Sequence, residues 1–139
     1  PTTATVRVVD VACMQARASA EAGFEALVPS GPGALEATST RWEPTKASAG
    51  VPVWHVGYVV DGDGYLQVSQ ARSTSPALID EQTAGGEPIG SQPIGGQTWT
   101  RYETADQRSL VVERDGVVTV VTGTLEWQAL ADAAASLAP

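Results

Sequence analysis

The strongest constraint in this chain is Asp115-Gly116, set between Leu110-Val111-Val112 and Val117-Val118-Thr119-Val120-Val121. Both central residues of a type I′ turn need positive φ, which Gly adopts freely and Asp tolerates, so the segment predicts a tight hairpin. A lone hairpin is marginal in water, and its apolar residues demand more strands or a covering helix. The rest of the chain supplies both. Val53 to Val60 alternates, with Trp54, Val56, Tyr58 and Val60 on one face and Val53, His55, Gly57 and Val59 on the other. Asp61-Gly62-Asp63-Gly64 then turns into a strand over Tyr65 to Ala71. Ala37 to Glu43, broken by Pro44 to Pro52, predicts a first strand; Gln97 to Glu103 and Arg108 to Arg114 predict two more. Between them, Glu87-Pro88-Ile89-Gly90 is followed by Gln92-Pro93-Ile94-Gly95. This short repeat reads as a brief edge strand, where a missing amide proton faces solvent.

Helices are predicted at both ends. Asp10 can cap a helix over about Val11 to Ala22 that Gly23 closes, and Phe24 to Leu35 is an irregular connection pinned by Phe24 and Leu27. Ser75-Pro76 starts a short helix through Gln82, with proline at the first helical position. A last helix over about Leu125 to Leu137, capped by Thr124, carries Trp127, Leu130, Ala131, Ala134 and Leu137 as one apolar stripe. The expected fold is α+β: one twisted antiparallel sheet of about six or seven strands, packed on one face by the two terminal helices and more open on the other. Residues 1–9 read as a tail or linker and 10–139 as a single domain.

Composition narrows function mainly by exclusion. Sixteen acidic against eight basic side chains give a formal charge of -8, a sign that repels phosphate backbones, so nucleic acid is not an expected partner. Cys13 is the sole cysteine, so no internal disulfide forms. No run approaches the roughly 20 apolar residues that cross a bilayer, and the chain opens on Pro1. The expectation is that a membrane anchor precedes it. A Cys13 and His55 pair lacks a third orienting residue; Cys13 reads as a small buried hydrophobe and His55 as a residue at the sheet surface. The faint calcium pattern at Asp61-Gly62-Asp63-Gly64 meets Arg72 where a bidentate Glu belongs. Gly85-Gly86 and Gly95-Gly96 lack the strand-to-helix setting of a phosphate loop. No catalytic residue, metal site or cofactor is expected.

The aromatic residues are the better lead. Trp42, Trp54, Tyr58, Trp99 and Tyr102 sit on predicted strands, and Arg41 and Arg101 neighbour Trp42 and Trp99. Tryptophans of this kind are mostly core, edged by arginine stems. The sharper alternative is an aromatic and Arg patch on the uncovered sheet face, the material of interface hot spots. Arg41, Trp42, Trp54, His55, Trp99 and Arg101 are its candidate binding residues.

A set of segments taken together resembles one family: Val9-Asp10-Val11, Leu27-Val28-Pro29, Arg41-Trp42-Glu43-Pro44, Val53-Trp54-His55-Val56-Gly57-Tyr58, Gln82-Thr83-Ala84-Gly85-Gly86, Thr98-Trp99-Thr100-Arg101-Tyr102-Glu103 and Val120-Val121-Thr122-Gly123-Thr124. Over nearly all of residues 8–139 the chain is similar to the domain-of-unknown-function family 4245 of high-GC Gram-positive bacteria. The segment Gly31 to Leu35 departs from the family's pattern. The resemblance implies a single-pass membrane protein whose domain stands outside the cell membrane, and it implies no reaction, cofactor or substrate. The expected role is a non-catalytic interaction module contacting another envelope protein. The alternative is a carrier or sensor of a lipid or cell-wall fragment held between sheet and helices, which predicts an apolar cavity of at least a few hundred Å3.

Overall fold

Two antiparallel meanders share one sheet. The computed structural model describes residues 11–43, 52–72 and 77–139. The first meander is β1 (Leu35–Glu43), β2 (Val53–Val60) and β3 (Gly64–Arg72), preceded by α1 (Val11–Ala22). A short α2 (Ala77–Gln82) leads to the second, β4 (Glu87–Ile94), β5 (Gln97–Glu103), β6 (Arg108–Arg114) and β7 (Val117–Gly123), which α3 (Trp127–Ala135) follows. The meanders join where β7 pairs antiparallel with β3, giving the order β1-β2-β3-β7-β6-β5-β4. The α+β expectation and its seven-strand upper count describe this architecture.

Turn chemistry sets the register. Asp115 and Gly116 have φ of 52° and 76°, the left-handed pair that closes β6 onto β7. Asp61 and Gly62 repeat the geometry between β2 and β3. The Asp61 carboxylate is occupied structurally, since its Oδ1 accepts from Ala34 N at 2.8 Å. Where β3 meets β7, Gly123 lies so close to Tyr65 that a Cβ would land on the Tyr65 carbonyl, and glycine alone allows that approach.

Period-two alternation sorts the side chains onto two faces. Trp54, Val56, Leu66, Val68, Leu110 and Val121 point toward the terminal helices and pack on Ala18 of α1 and Leu130, Ala133 and Ala134 of α3. Val53, Ala71, Val111, Val118 and Val120 point the other way, under Leu78 and Ile79 of α2. The second face is therefore partly covered by α2, where the sequence predicted a short helix without assigning it a place.

The connection 24–34 is irregular, as expected, and its backbone groups find long-range partners. Leu27 N donates to Gln70 Oε1 at 2.7 Å, Gln70 Nε2 donates to Glu25 O at 3.2 Å, and Trp54 Nε1 donates to Leu27 O at 3.0 Å. Val28 forms an isolated antiparallel bridge with Ala138, which ties the chain's last residues to this loop. The Gly31-Pro32 peptide is cis.

Two local expectations need correction. α3 begins at Trp127 with Glu126 at its N-cap, and no side chain caps it. Thr124 is taken up elsewhere: its Oγ1 accepts from Tyr65 N at 3.0 Å and its own amide donates to Tyr65 O at 3.1 Å. The strand ladder thus claims Thr124 before the helix can. β1 also starts earlier than expected, at Leu35, which pairs with Val60. The Asp10 cap, the tail over 1–9, the Ser75-Pro76 helix start and most of the break over Pro44 to Pro52 lie outside the described residues.

Candidate functional site

Strand alternation separates the six residues singled out in the sequence. Trp42, Trp54 and Trp99 face the terminal helices and are 7, 0 and 5% exposed. Trp42 Nε1 donates to Glu21 Oε1 of α1 at 2.7 Å. Arg101 shares the Trp99 face but lies beneath α3, its guanidinium 4.8 Å from the Trp127 ring centroid and donating from Nε and Nη2 to Gln92 Oε1 at 2.9 and 2.7 Å. Arg41 and His55 point to the opposite face, cross-strand from each other. Neighbours such as Arg41 and Trp42 cannot share a face of a strand, and the Trp and Arg of one strand that do share a face, Trp99 and Arg101, lie under Trp127 of α3. These residues do not converge on an exposed aromatic patch.

His55 is buried, not a surface residue, with Nδ1 2.9 Å from Ser69 Oγ. Ser69 Oγ donates to Gln82 Oε1 at 3.1 Å, Gln67 Nε2 donates to the same oxygen at 2.6 Å, and Tyr65 OH donates to Gln67 Oε1 at 2.7 Å. Gln107 Nε2 extends the network to Gln82 O and Thr122 Oγ1, both at 2.8 Å. Ser69 has no exposed surface, so the His55 and Ser69 pair is sealed from substrate. The network works as a polar seam that seats α2. Partial burial pushes the Tyr65 hydroxyl upward in pKa, and the charge of nearby Arg41 offsets it in part. Cys13 is exposed on α1 rather than buried, and the sheet separates α1 from the His55 side chain. Among the described residues no group of three or more His, Cys, Asp or Glu is placed to hold a metal ion.

The structure opens a different place. Between the loop 23–27 and the C-terminal turn of α3 a groove runs over β3, β7, β6 and β5. It has two lobes of about 290 and 370 Å3 that share Leu27, Thr119 and Arg114. The first is walled by Leu27, Ile94, Trp99, Val112 and Leu137, with Gln97 and Arg114 at the β4–β5 end. The second lies between Phe24, Gln70 and Val117, with Arg72, Glu25 and Asp115 around it. Arg72 is fixed there, donating to Gly23 O at 2.7 Å and lying 5.6 Å from the Phe24 ring centroid. The amide of Gln97, turned so that its oxygen meets the guanidinium, accepts from Nε and Nη1 of Arg114, both at 3.1 Å.

Of these groove residues Trp99 alone was a candidate binding residue in the sequence. A signal was present: Gln70 and Thr119 are polar at positions that alternation assigns to the helix-covered face, after Leu66 and Val68 on one strand and before Val121 on the other. Polar residues in an inward-facing row mark a place where something other than an apolar helix face packs on the sheet, and Gln70 meets the backbone of the loop over residues 24–34 there.

Over residues 1–137 the chain matches the model of a family described as a protein of unknown function, DUF4245. The chain belongs to the DUF4245 family. No curated protein matches it. The match spans both meanders and α3, so the groove of this DUF4245 domain is built entirely within the family's own boundaries. Among the described residues no helix is long and apolar enough to cross a membrane.

Proposed function

We propose that this DUF4245 domain is a non-catalytic binding module that works on the outer side of the membrane and holds a small ligand in the groove that the loop 23–27 and α3 leave over its sheet. The carrying observation is the groove itself: two adjoining lobes of a few hundred Å3, the first lined by Leu27, Ile94, Trp99, Val112 and Leu137 beside Gln97, Arg114 and Thr119, the second by a more polar and charged set. That combination is the usual form of a small-molecule site. It favours the carrier or sensor role over the interface role, because the tryptophans that suggested a contact patch are spent in the core. The test is to fill the groove from an exposed wall. Ala135→Trp places a large ring in the first lobe from the solvent side of α3. The folded protein purified from its native envelope is expected to yield a bound organic molecule in its solvent extract, and the variant, equally stable to heat, to yield none. The same extract from both proteins would refute the groove.

A second reading has its own support. On the α2 side, Arg41 and Tyr65 remain accessible beside Ser39, Tyr65 at 38% exposure, and a Tyr and Arg pair suits contact with another envelope protein. Arg41→Glu with Tyr65→Ala is expected to abolish cross-links to that partner in cells while leaving groove occupancy unchanged.

A further inference from the structure

The first lobe has a polarity of its own. Of the described residues that line it, Arg114 alone is charged. The second lobe differs, because Glu25 and Asp115 face Arg72 and Arg114 there and balance them. Arg114 is anchored at one end of the first lobe by Gln97 and lies 3.7 Å from the Asp115 carboxylate, with both side chains largely exposed at 71 and 90%. An ion pair so open to water holds its partner weakly and releases it to a better one. Away from Arg114, Gln97 and Thr119 the lining is hydrocarbon and indole: Trp99 and Val112 on the floor, Ile94, Ala134 and Leu137 on the sides.

One cationic end and an otherwise uncharged channel with an apolar side complement a molecule with one anionic end and an apolar body. We propose that the first lobe binds a monomeric, single-chain anionic amphiphile of the fatty-acid class. Its carboxylate accepts from Arg114, and from the Gln97 amide nitrogen once Gln97 turns; its chain lies along Trp99 toward Leu137. The proposal rests on the groove reading above and adds the ligand's class and direction. A planar guanidinium donates two parallel hydrogen bonds to a carboxylate, stronger than neutral ones. The chain's formal charge of -8 repels an anionic bilayer as a whole, so the expected ligand is a free amphiphile in a locally cationic lobe and not a headgroup on a membrane surface.

Three ten-carbon probes below their micelle concentrations test this: decanoate, decanol and decyltrimethylammonium, titrated against the intact domain with tryptophan fluorescence and backbone amide shifts as readouts. Decanoate is expected to bind at least about tenfold more tightly than the other two, to change the Trp99 signal, and to lose that advantage in Arg114→Gln, an exposed substitution that spares the core. Trp99→Phe assigns the fluorescence change. Ala135→Trp is expected to weaken all binding. Decanol binding as well as decanoate, or Arg114→Gln without effect, overturns the anionic class and leaves the groove standing. Binding of all probes that Ala135→Trp does not touch overturns both readings. Arg114-dependent binding to anionic vesicles with none to monomeric decanoate overturns the proposal in favour of a surface contact.

Discussion

At the scale of single residues, a buried tryptophan reports on an exposed acid. Glu21 Oε1 accepts from Trp42 Nε1 at 2.7 Å and Glu21 Oε2 accepts from Arg17 Nε at 3.2 Å. These bonds favour the carboxylate, the Trp42 bond first and Arg17 second, and hold the Glu21 pKa below its ordinary value of 4.5. A pKa lower in the folded than in the unfolded chain adds stability above the unfolded value, and that stability is lost as pH falls through the folded one. Glu21→Gln keeps an acceptor for Trp42 but removes the charge. It is expected to melt slightly lower than the parent at pH 7, with the gap closing as pH drops below about 4.5. Melts followed by circular dichroism across that range check it, and a gap that does not vary with pH would refute it. Tyr58 acts in the opposite sense. Burial pushes its hydroxyl up to about 12 from 10, so the fold favours the neutral phenol. The stability this confers is complete below pH 10 and fades as pH rises toward 12, and ultraviolet titration of the folded domain should show Tyr58 ionising late, at about 12, with Tyr65 also raised.

At the scale of elements, α2 is the piece that sequence pattern alone explains least. Six residues are too few for a stable isolated helix, so α2 exists because of what it docks on. Leu78 supplies the apolar anchor, and Gln82 supplies the polar one through Gln67, Ser69 and, at its carbonyl, Gln107. Gln82→Ala strands the buried Ser69 and His55 pair without its acceptor and is expected to cost about 1–3 kcal/mol, read as a lower urea midpoint at unchanged slope. An unchanged midpoint would mean that Leu78 alone seats the helix. The strands were legible because each carries its own local signal: alternation in Val53 to Val60, Asp-Gly at both tight turns, and paired glycines after Ile94. The α3 start was not, because whether Thr124 caps a helix or pairs with Tyr65 depends on a strand nearly sixty residues earlier. The groove was illegible for the same reason. Leu27, Arg114 and Leu137 come from three distant parts of the chain, and only Gln70 and Thr119, polar in otherwise apolar rows, signalled that the inner face is not covered by helix alone there.

At the scale of the whole molecule, an open sheet must keep its edges from pairing with other chains. β1 forms one edge and β4 the other. Along β4, Pro88 opposes Tyr102 and Pro93 opposes Thr98, with a bulge between Pro88 and Gly90. A proline in an antiparallel strand sits where its nitrogen points away from the neighbour, so both prolines remove donors from the outer edge. Ile89 between them is 50% exposed, and without the prolines this edge would present an apolar residue beside a continuous row of amides. Replacing both, Pro88→Thr with Pro93→Thr, restores two outward N–H groups and is expected to produce larger species as protein concentration rises, seen by sedimentation velocity against the parent at equal loading. The substitutions lie on the rim of the sheet, and only Ile94 of β4 lines the groove, so ligand binding in the mutant should stay intact at concentrations where it does not assemble. A mutant that sediments like the parent at every concentration would show that the bulge alone protects the edge, since Gly90 at φ 153° already breaks the regular ladder a partner strand would follow.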